Sequence, residues 1–127
     1  MAELAKTPLE VGDLFVARVK EGDVEGLMEL YDPTATFAVD ADTIASGAAI
    51  REAVEGFAAL KPTMNNRVDW VQEAGDVALV LNHWNMEAIG PDGLRISNSG
   101  RAADVLRRGA DGGWRFAIDF PLLGSIE

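Results

Sequence analysis

The sequence has 127 residues, 48% of them hydrophobic and 25% charged, which predicts one globular domain over 1–127 that buries roughly two thirds of its unfolded surface. Eleven Lys+Arg against 21 Asp+Glu leave a net charge of −10, which repels phosphate backbones and anionic lipid and so predicts no nucleic-acid partner and no membrane-surface role. With no cysteine and one histidine, disulfides, thiol nucleophiles and the common zinc sets are excluded, leaving carboxylates, one imidazole, hydroxyls and amides for any chemistry.

Thr7-Pro8-Leu9-Glu10 has the form of a capping box with proline at the first helical position, so a helix is predicted from there. Val11, Leu14, Phe15 and Val19 follow at helical spacing, and Gly22 supplies a left-handed stop. Asp23 is placed to cap a second helix with Val24, Leu27, Met28 and Tyr31 on one face, ended by Asp32-Pro33. A strand is expected from Thr34 to Val39, then a turn with a brief second strand over Asp40 to Ser46. Ser46 or Gly47 opens a third helix bearing Ile50, Val54, Phe57 and Ala58, closed by Lys61-Pro62.

Beyond that point the period changes. Val68 to Glu73, Val77 to Ala88, Arg95 to Arg108 and Trp114 to Phe120 are rich in β-formers and are separated by short glycine-containing turns, which predicts an antiparallel meander. Helices followed by a long antiparallel run predict an α+β fold with the helices covering one face of a strongly curved sheet. No apolar run approaches the roughly 20 residues that span a bilayer, and residues 1–6 (MAELAK) lack the basic and apolar regions of a secretion signal. A cytoplasmic protein is expected.

Three stretches, KEGDVEGLMELYDPTATF (20–37), GAAIRE (47–52) and DGGWRFAIDFP (111–121), resemble the nuclear-transport-factor-two-like superfamily, and within it the ketosteroid-isomerase-like and SnoaL-like (polyketide cyclase) branch. The resemblance implies a cone-shaped barrel in which a strongly bent, mostly antiparallel sheet packs against three N-terminal helices around an apolar pocket. It also implies a homodimer through the outer sheet face. The isomerase's general base falls on Val39, with Asp40 next to it, and its oxyanion-hole tyrosine falls on Phe15, which has no hydroxyl. Its protonated aspartic acid falls on Asp104. One group of three is present, so the resemblance carries the fold further than the isomerase's own activity.

Alternation along the Val77 to Ala88 strand puts Leu79, Leu81, His83 and Asn85 on one face and Val80, Asn82, Trp84 and Met86 on the other. Matched to the family, the His83 face points inward, making His83 a candidate acid or base, with Leu81 and Asn85 beside it as ligand contacts. Trp84 and Met86, like Trp70, then read as core or dimer surface. Asp104 shares its face with Ala102 and Leu106, where desolvation favours a neutral carboxyl, and it is the expected partner of His83. The competing readings are a hydrogen-bonded core or interface histidine and a solvated strand carboxylate.

Asp119 falls near the acidic base of SnoaL-like cyclases, although strict alternation with Trp114, Phe116, Ile118 and Phe120 turns it away from the apolar face unless a bulge intervenes. Tyr31 and Asn85 could orient a ligand oxygen, and Phe15 lines the expected pocket. Asp40-Ala41-Asp42 lacks the oxygens of a cation site, and no nucleotide, hydrolase-elbow or metalloprotease motif occurs. The Asp-Arg-Asp set of the superfamily's epoxide hydrolases would need Arg101 and Asp104 on one face, which an offset of three along a strand forbids. The expectation is a pocket for a small hydrophobic molecule bearing a carbonyl or hydroxyl, with cofactor-free and metal-free isomerase, cyclase or dehydratase chemistry. The alternative is a non-catalytic dimeric ligand-binding or assembly module.

Overall fold

The computed structural model describes residues 3–123. Helix α1 (Pro8–Glu21) begins where expected, but the capping box does not form: Thr7 makes no side-chain cap, and Glu10 accepts from the Lys6 backbone N–H at 3.0 Å and from the Thr7 hydroxyl at 3.3 Å instead of from the Thr7 N–H. Gly22, at φ 71°, ends the helix, with the Gly22 and Asp23 amides donating back to the Val19 and Arg18 carbonyls. That double closure needs a left-handed residue, which glycine adopts without a Cβ penalty. Asp23 caps α2 (Val24–Met28) by accepting from the Gly26 amide at 2.9 Å.

Helix α2 is shorter than the spacing predicted, and Tyr31 opens strand β1 (Tyr31–Asp40) instead of closing the helix. Asp32-Pro33 therefore lies inside a strand. This is tolerated because pairing between β1 and its neighbour is interrupted between Tyr31 and Thr36, so no ladder bond asks for the missing Pro33 N–H. Strand β2 (Thr43–Ser46) and helix α3 (Ala48–Ala59) follow, with Gly47 at the N-cap. The remaining strands are β3 (Thr63–Ala74), which starts earlier than the sequence suggested, β4 (Val77–Ile89), β5 (Arg95–Arg108) and β6 (Trp114–Asp119).

The α+β architecture is the expected one: a six-stranded sheet in the order β2-β1-β6-β5-β4-β3, antiparallel throughout except for the parallel β1–β6 pair. The three helices bury Val11 and Val19 of α1, Leu27 of α2, and Ile50, Val54 and Ala58 of α3 against Ala78 and Val80 of β4, Leu106 of β5 and Phe116 of β6. Buried Arg18 ties α1 to its surroundings by donating to the Gly26 carbonyl at 2.7 Å and to the Glu3 carbonyl. One side of the sheet thus faces the helices, and the space left between them is the cavity described next.

Two bulges decide which side chains share that space. On β6, Leu106 pairs with Phe116 and Val105 with Ile118, so Ala117 is the extra residue. The insertion lets Phe116 and Asp119 both face inward and turns Ile118 outward, 46% exposed. On β3, Val68 pairs with Asn82 and Trp70 with Leu81, which makes Asp69 the extra residue and leaves both Asp69 and Trp70 on the outer face.

Candidate active site

The helix-facing side of the sheet encloses a cavity of about 550 Å³. Phe15 of α1, Val54 and Phe57 of α3, Phe37 of β1, Met64 of β3, Met86 of β4 and Phe116 of β6 form its apolar wall. Phe15 meets Phe116 edge-on at 6.0 Å and stacks near Phe57 at 6.4 Å, while Tyr31 lies 5.1 Å from Phe116. Such ring contacts make the wall stiff and largely pre-formed.

Three polar side chains meet in this wall. Tyr31 Oη donates to Asp119 Oδ2 at 2.6 Å, and Asp104 Oδ1 accepts from the Phe120 amide at 3.0 Å. Asp104 and Asp119 are joined by a side-chain hydrogen bond. All three residues are buried. The Asp104 carboxyl is pushed well above the ordinary carboxylate range, first by burial and then by the Asp119 charge, with the Phe120 amide opposing. Asp119 is also raised by burial, but the hydrogen bonds it accepts from Tyr31 and Asp104 hold it down. Burial and the Asp119 charge raise the Tyr31 hydroxyl well above its ordinary value, so it stays a donor. Both carboxyls of this buried pair are therefore raised, Asp104 the more strongly, which suits the pair to keep a proton beside a carboxylate.

The segment after β6 fixes this geometry. The Ala103 amide donates to the Phe120 carbonyl at 2.9 Å, the Leu123 amide donates to the Arg101 carbonyl at 2.9 Å, and Trp84 Nε1 donates to the Pro121 carbonyl at 3.1 Å. Residues 120–123 thus run against β5, which sets the Phe120 amide beside Asp104.

His83 stands elsewhere. It is on the outer face, with its side chain 43% exposed, Nδ1 2.5 Å from Asp69 Oδ2 and 3.0 Å from Arg67 Nη2. The β4–β5 register pairs His83 with Arg101 and Val80 with Asp104, so the expected His83–Asp104 couple does not form; the two side chains lie on opposite faces of the sheet. Leu81 and Asn85 share the His83 face and likewise do not line the cavity, whereas Trp84 and Met86, expected on the outside, do.

The alternation along β4 is as read; its facing is reversed. The helix-facing set of Ala78, Val80, Asn82, Trp84 and Met86 carries one polar residue, whereas the outer set of Leu79, Leu81, His83, Asn85 and Glu87 carries three. The more apolar face belongs inside. Asp104, Asp119, Tyr31 and Phe15 all line the cavity. Asn82, which sequence reasoning put on the outside, lines it too, and the signal for it was a lone amide on an otherwise apolar strand face.

Among the described residues no cluster of three or more His, Cys, Asp or Glu could hold a metal ion, and no helix is long and apolar enough to cross a membrane. Residues 13–116 match the model of the SnoaL-like domain. The chain belongs to the SnoaL-like domain family. Solved structures similar to this SnoaL-like domain include a nuclear transport factor 2-like superfamily protein from Salmonella enterica serovar Typhimurium, 19% identical over 87% of this chain and 84% of that one, TM-score 0.74. A protein named provisionally as a scytalone dehydratase, from Novosphingobium aromaticivorans, is 15% identical over 87% and 76% of the two chains, TM-score 0.78. Another, from Streptomyces avermitilis, is named provisionally as a dehydratase of the same superfamily and is 22% identical over 90% and 93%, TM-score 0.71. At these identities the likeness is one of fold. Among curated proteins no relative matches.

Proposed function

We propose that the cavity binds a small, mainly hydrophobic molecule bearing a carbonyl or hydroxyl and that Asp119 and Asp104 act on it as base and acid without a cofactor. The observation that carries this reading is the buried Asp104–Asp119 pair, set beside Tyr31 in the wall of an aromatic cavity with both carboxyls raised by burial. With a ketone, Asp119 removes a proton from the carbon next to the carbonyl while Asp104 gives its proton to the carbonyl oxygen, forming the enol; reversal restores both groups. With a β-hydroxy ketone, Asp119 takes the proton on the carbon between the two groups while Asp104 gives its proton to the hydroxyl, so the C–O bond breaks, water leaves and a C=C bond forms; passage of the proton from Asp119 back to Asp104 restores the pair. Two similar structures named as dehydratases support the class of chemistry by analogy of fold alone.

The test uses 2-decalone in D2O, with the carbon-bound protons next to its carbonyl followed by NMR. Exchange above the buffer rate, reduced about a hundredfold or more in Asp119→Asn, is the expected result. Exchange at the buffer rate with the wild-type protein would contradict it. That outcome would favour the second reading, a non-catalytic binding module, which draws support from Val39 and Phe15 at the positions of the isomerase's base and tyrosine.

We also propose that two copies pair through the outer sheet face. Trp70, Leu79, Leu81, Val105 and Ile118 form an apolar set there, with Leu79 opposite Val105 and Val105 opposite Ile118 across adjacent strands. Trp70 and Ile118 are 56% and 46% exposed in the single chain, more than a folded surface usually leaves to large apolar groups in one patch.

A further inference from the structure

Asn82 is a buried polar side chain of the cavity wall that the acid–base cluster does not use. It is 9% exposed, and its Oδ1 has no hydrogen-bond partner among the described residues. It sits on β4 opposite Ala102, one inward step from Val80, which pairs with Asp104, so the amide and the Asp104 carboxyl are diagonal neighbours on the same sheet face. Leaving an amide oxygen buried without a donor destabilises a fold, and because Asn82 lines the ligand-sized cavity, a turn of its amide toward that space lets a donor arriving with the ligand pair the oxygen.

The rest of the wall limits what that ligand can be. Among the described residues, the ionisable groups lining the cavity are Asp13, Asp104, Asp119 and Tyr31, and no Lys, Arg or His lines it. A carboxylate or phosphate on the ligand would be a buried charge with no counter-charge, next to the Asp119 anion, inside a chain whose net charge is −10. Acyl phosphates, free acids and nucleotides are therefore disfavoured.

We propose that Asn82 is a specificity-determining residue that accepts a hydrogen bond from a hydroxyl of an uncharged, largely apolar ligand, whose reacting part lies against Asp104 and Asp119. This rests on the ligand-binding reading above and narrows it to neutral alcohols, including hydroxyketones and enols. In the dehydration step Asn82 would hold the retained hydroxyl, while the leaving one takes its proton from Asp104. The site then discriminates as hydrogen-bonding pockets do: an analogue without the hydroxyl leaves the amide unpaired, and the difference is a large one.

The experiment is a set of equilibrium titrations at pH 7 with 2-naphthol, naphthalene and 2-naphthoate, on the wild-type protein and on Asn82→Leu. Leucine has nearly the amide's volume and no polar atom, so it removes the unpaired oxygen without opening a hole. The expected result is that wild type binds 2-naphthol about tenfold or more tightly than naphthalene and 2-naphthoate more weakly than either. In Asn82→Leu the preference for 2-naphthol over naphthalene disappears, while naphthalene binding is retained and the unliganded fold is at least as stable to urea as wild type.

A 2-naphthol preference that survives in Asn82→Leu, or no such preference in wild type while naphthalene still saturates one site, would overturn the role of Asn82 and leave the binding reading intact. Preferential binding of 2-naphthoate would overturn the restriction to uncharged ligands. Absence of saturable binding by all three would overturn the binding reading and this inference with it. If Asn82→Leu fails to fold, Asn82→Ala with the same three titrations replaces it, and the same loss of preference is expected.

Discussion

Asp104→Asn tests the proton inventory of the cavity without any knowledge of the substrate. Asparagine reproduces the protonated acid: its Oδ1 can accept from the Phe120 amide, as Asp104 does at 3.0 Å, and its Nδ2 can donate toward Asp119. The difference is that it cannot ionise. Below the ordinary carboxyl value of 3.8, folded and unfolded wild-type chains both hold this proton and the acid carries no penalty. Above that value the unfolded chain releases a proton that the folded protein keeps, so wild-type stability falls as pH rises toward the folded value and then levels off.

Each tenfold by which the fold tightens its grip on the proton corresponds to about 1.4 kcal/mol. For a domain of this size that is about 3–6 °C in Tm. Urea denaturation from pH 4 to pH 8, on both proteins with m unchanged, reads the difference directly. The variant should match wild type near pH 4 and gain on it steadily as pH rises, because the titrating penalty has been removed. A difference between the two proteins that does not change with pH, or one that shrinks as pH rises, would refute the assignment of the proton to Asp104.

Tyr31→Phe removes the 2.6 Å hydrogen bond to buried Asp119 and should cost about 1–3 kcal/mol in urea denaturation. It should also raise the Asp119 carboxyl, since that bond holds it down, and so move the base limb of the 2-decalone exchange profile to higher pH. His83→Ala, by contrast, breaks an exposed contact with Asp69. It should change stability by less than about 1 kcal/mol and leave 2-naphthol titrations unaltered; an altered affinity would return His83 to the site. Ile118→Lys places a charge in the outer apolar set. Light scattering should show a mass of two chains for wild type and of one for the variant, and an unchanged mass in the variant would exclude that face as the interface.

Most of the element order was legible because it rests on strong local signals: proline and glycine stops, a helical period giving way to a two-residue one, and glycine turns between long β-rich runs. Tyr31 was misplaced because Leu27, Met28 and Tyr31 fit a helical stripe, and nothing local reveals that interrupted pairing lets a strand run through Pro33. The facing of β4 follows the polarity of its two faces, with the more apolar one inward, whereas the resemblance points the His83 face inward. Asp119 depended on Ala117, since a one-residue bulge reverses the facing of every residue after it and leaves no local mark in the sequence. The clustering of Tyr31, Asp104 and Asp119 is a property of registers across β1, β5 and β6, separated by up to 88 positions along the chain. No pattern within a single segment carries it.

The central claim is that ligand enters the helix-facing cavity and contacts the acid pair, and a methyl-resolved NMR titration with 2-naphthol tests it most directly. Methyls of Val54, Val80 and Leu106, which line the cavity, should shift together along one saturation curve, while those of Leu79, Leu81 and Val105 stay in place. Saturating shifts confined to Leu79, Leu81 and Val105 would put the ligand on the His83 side of the sheet and contradict the account.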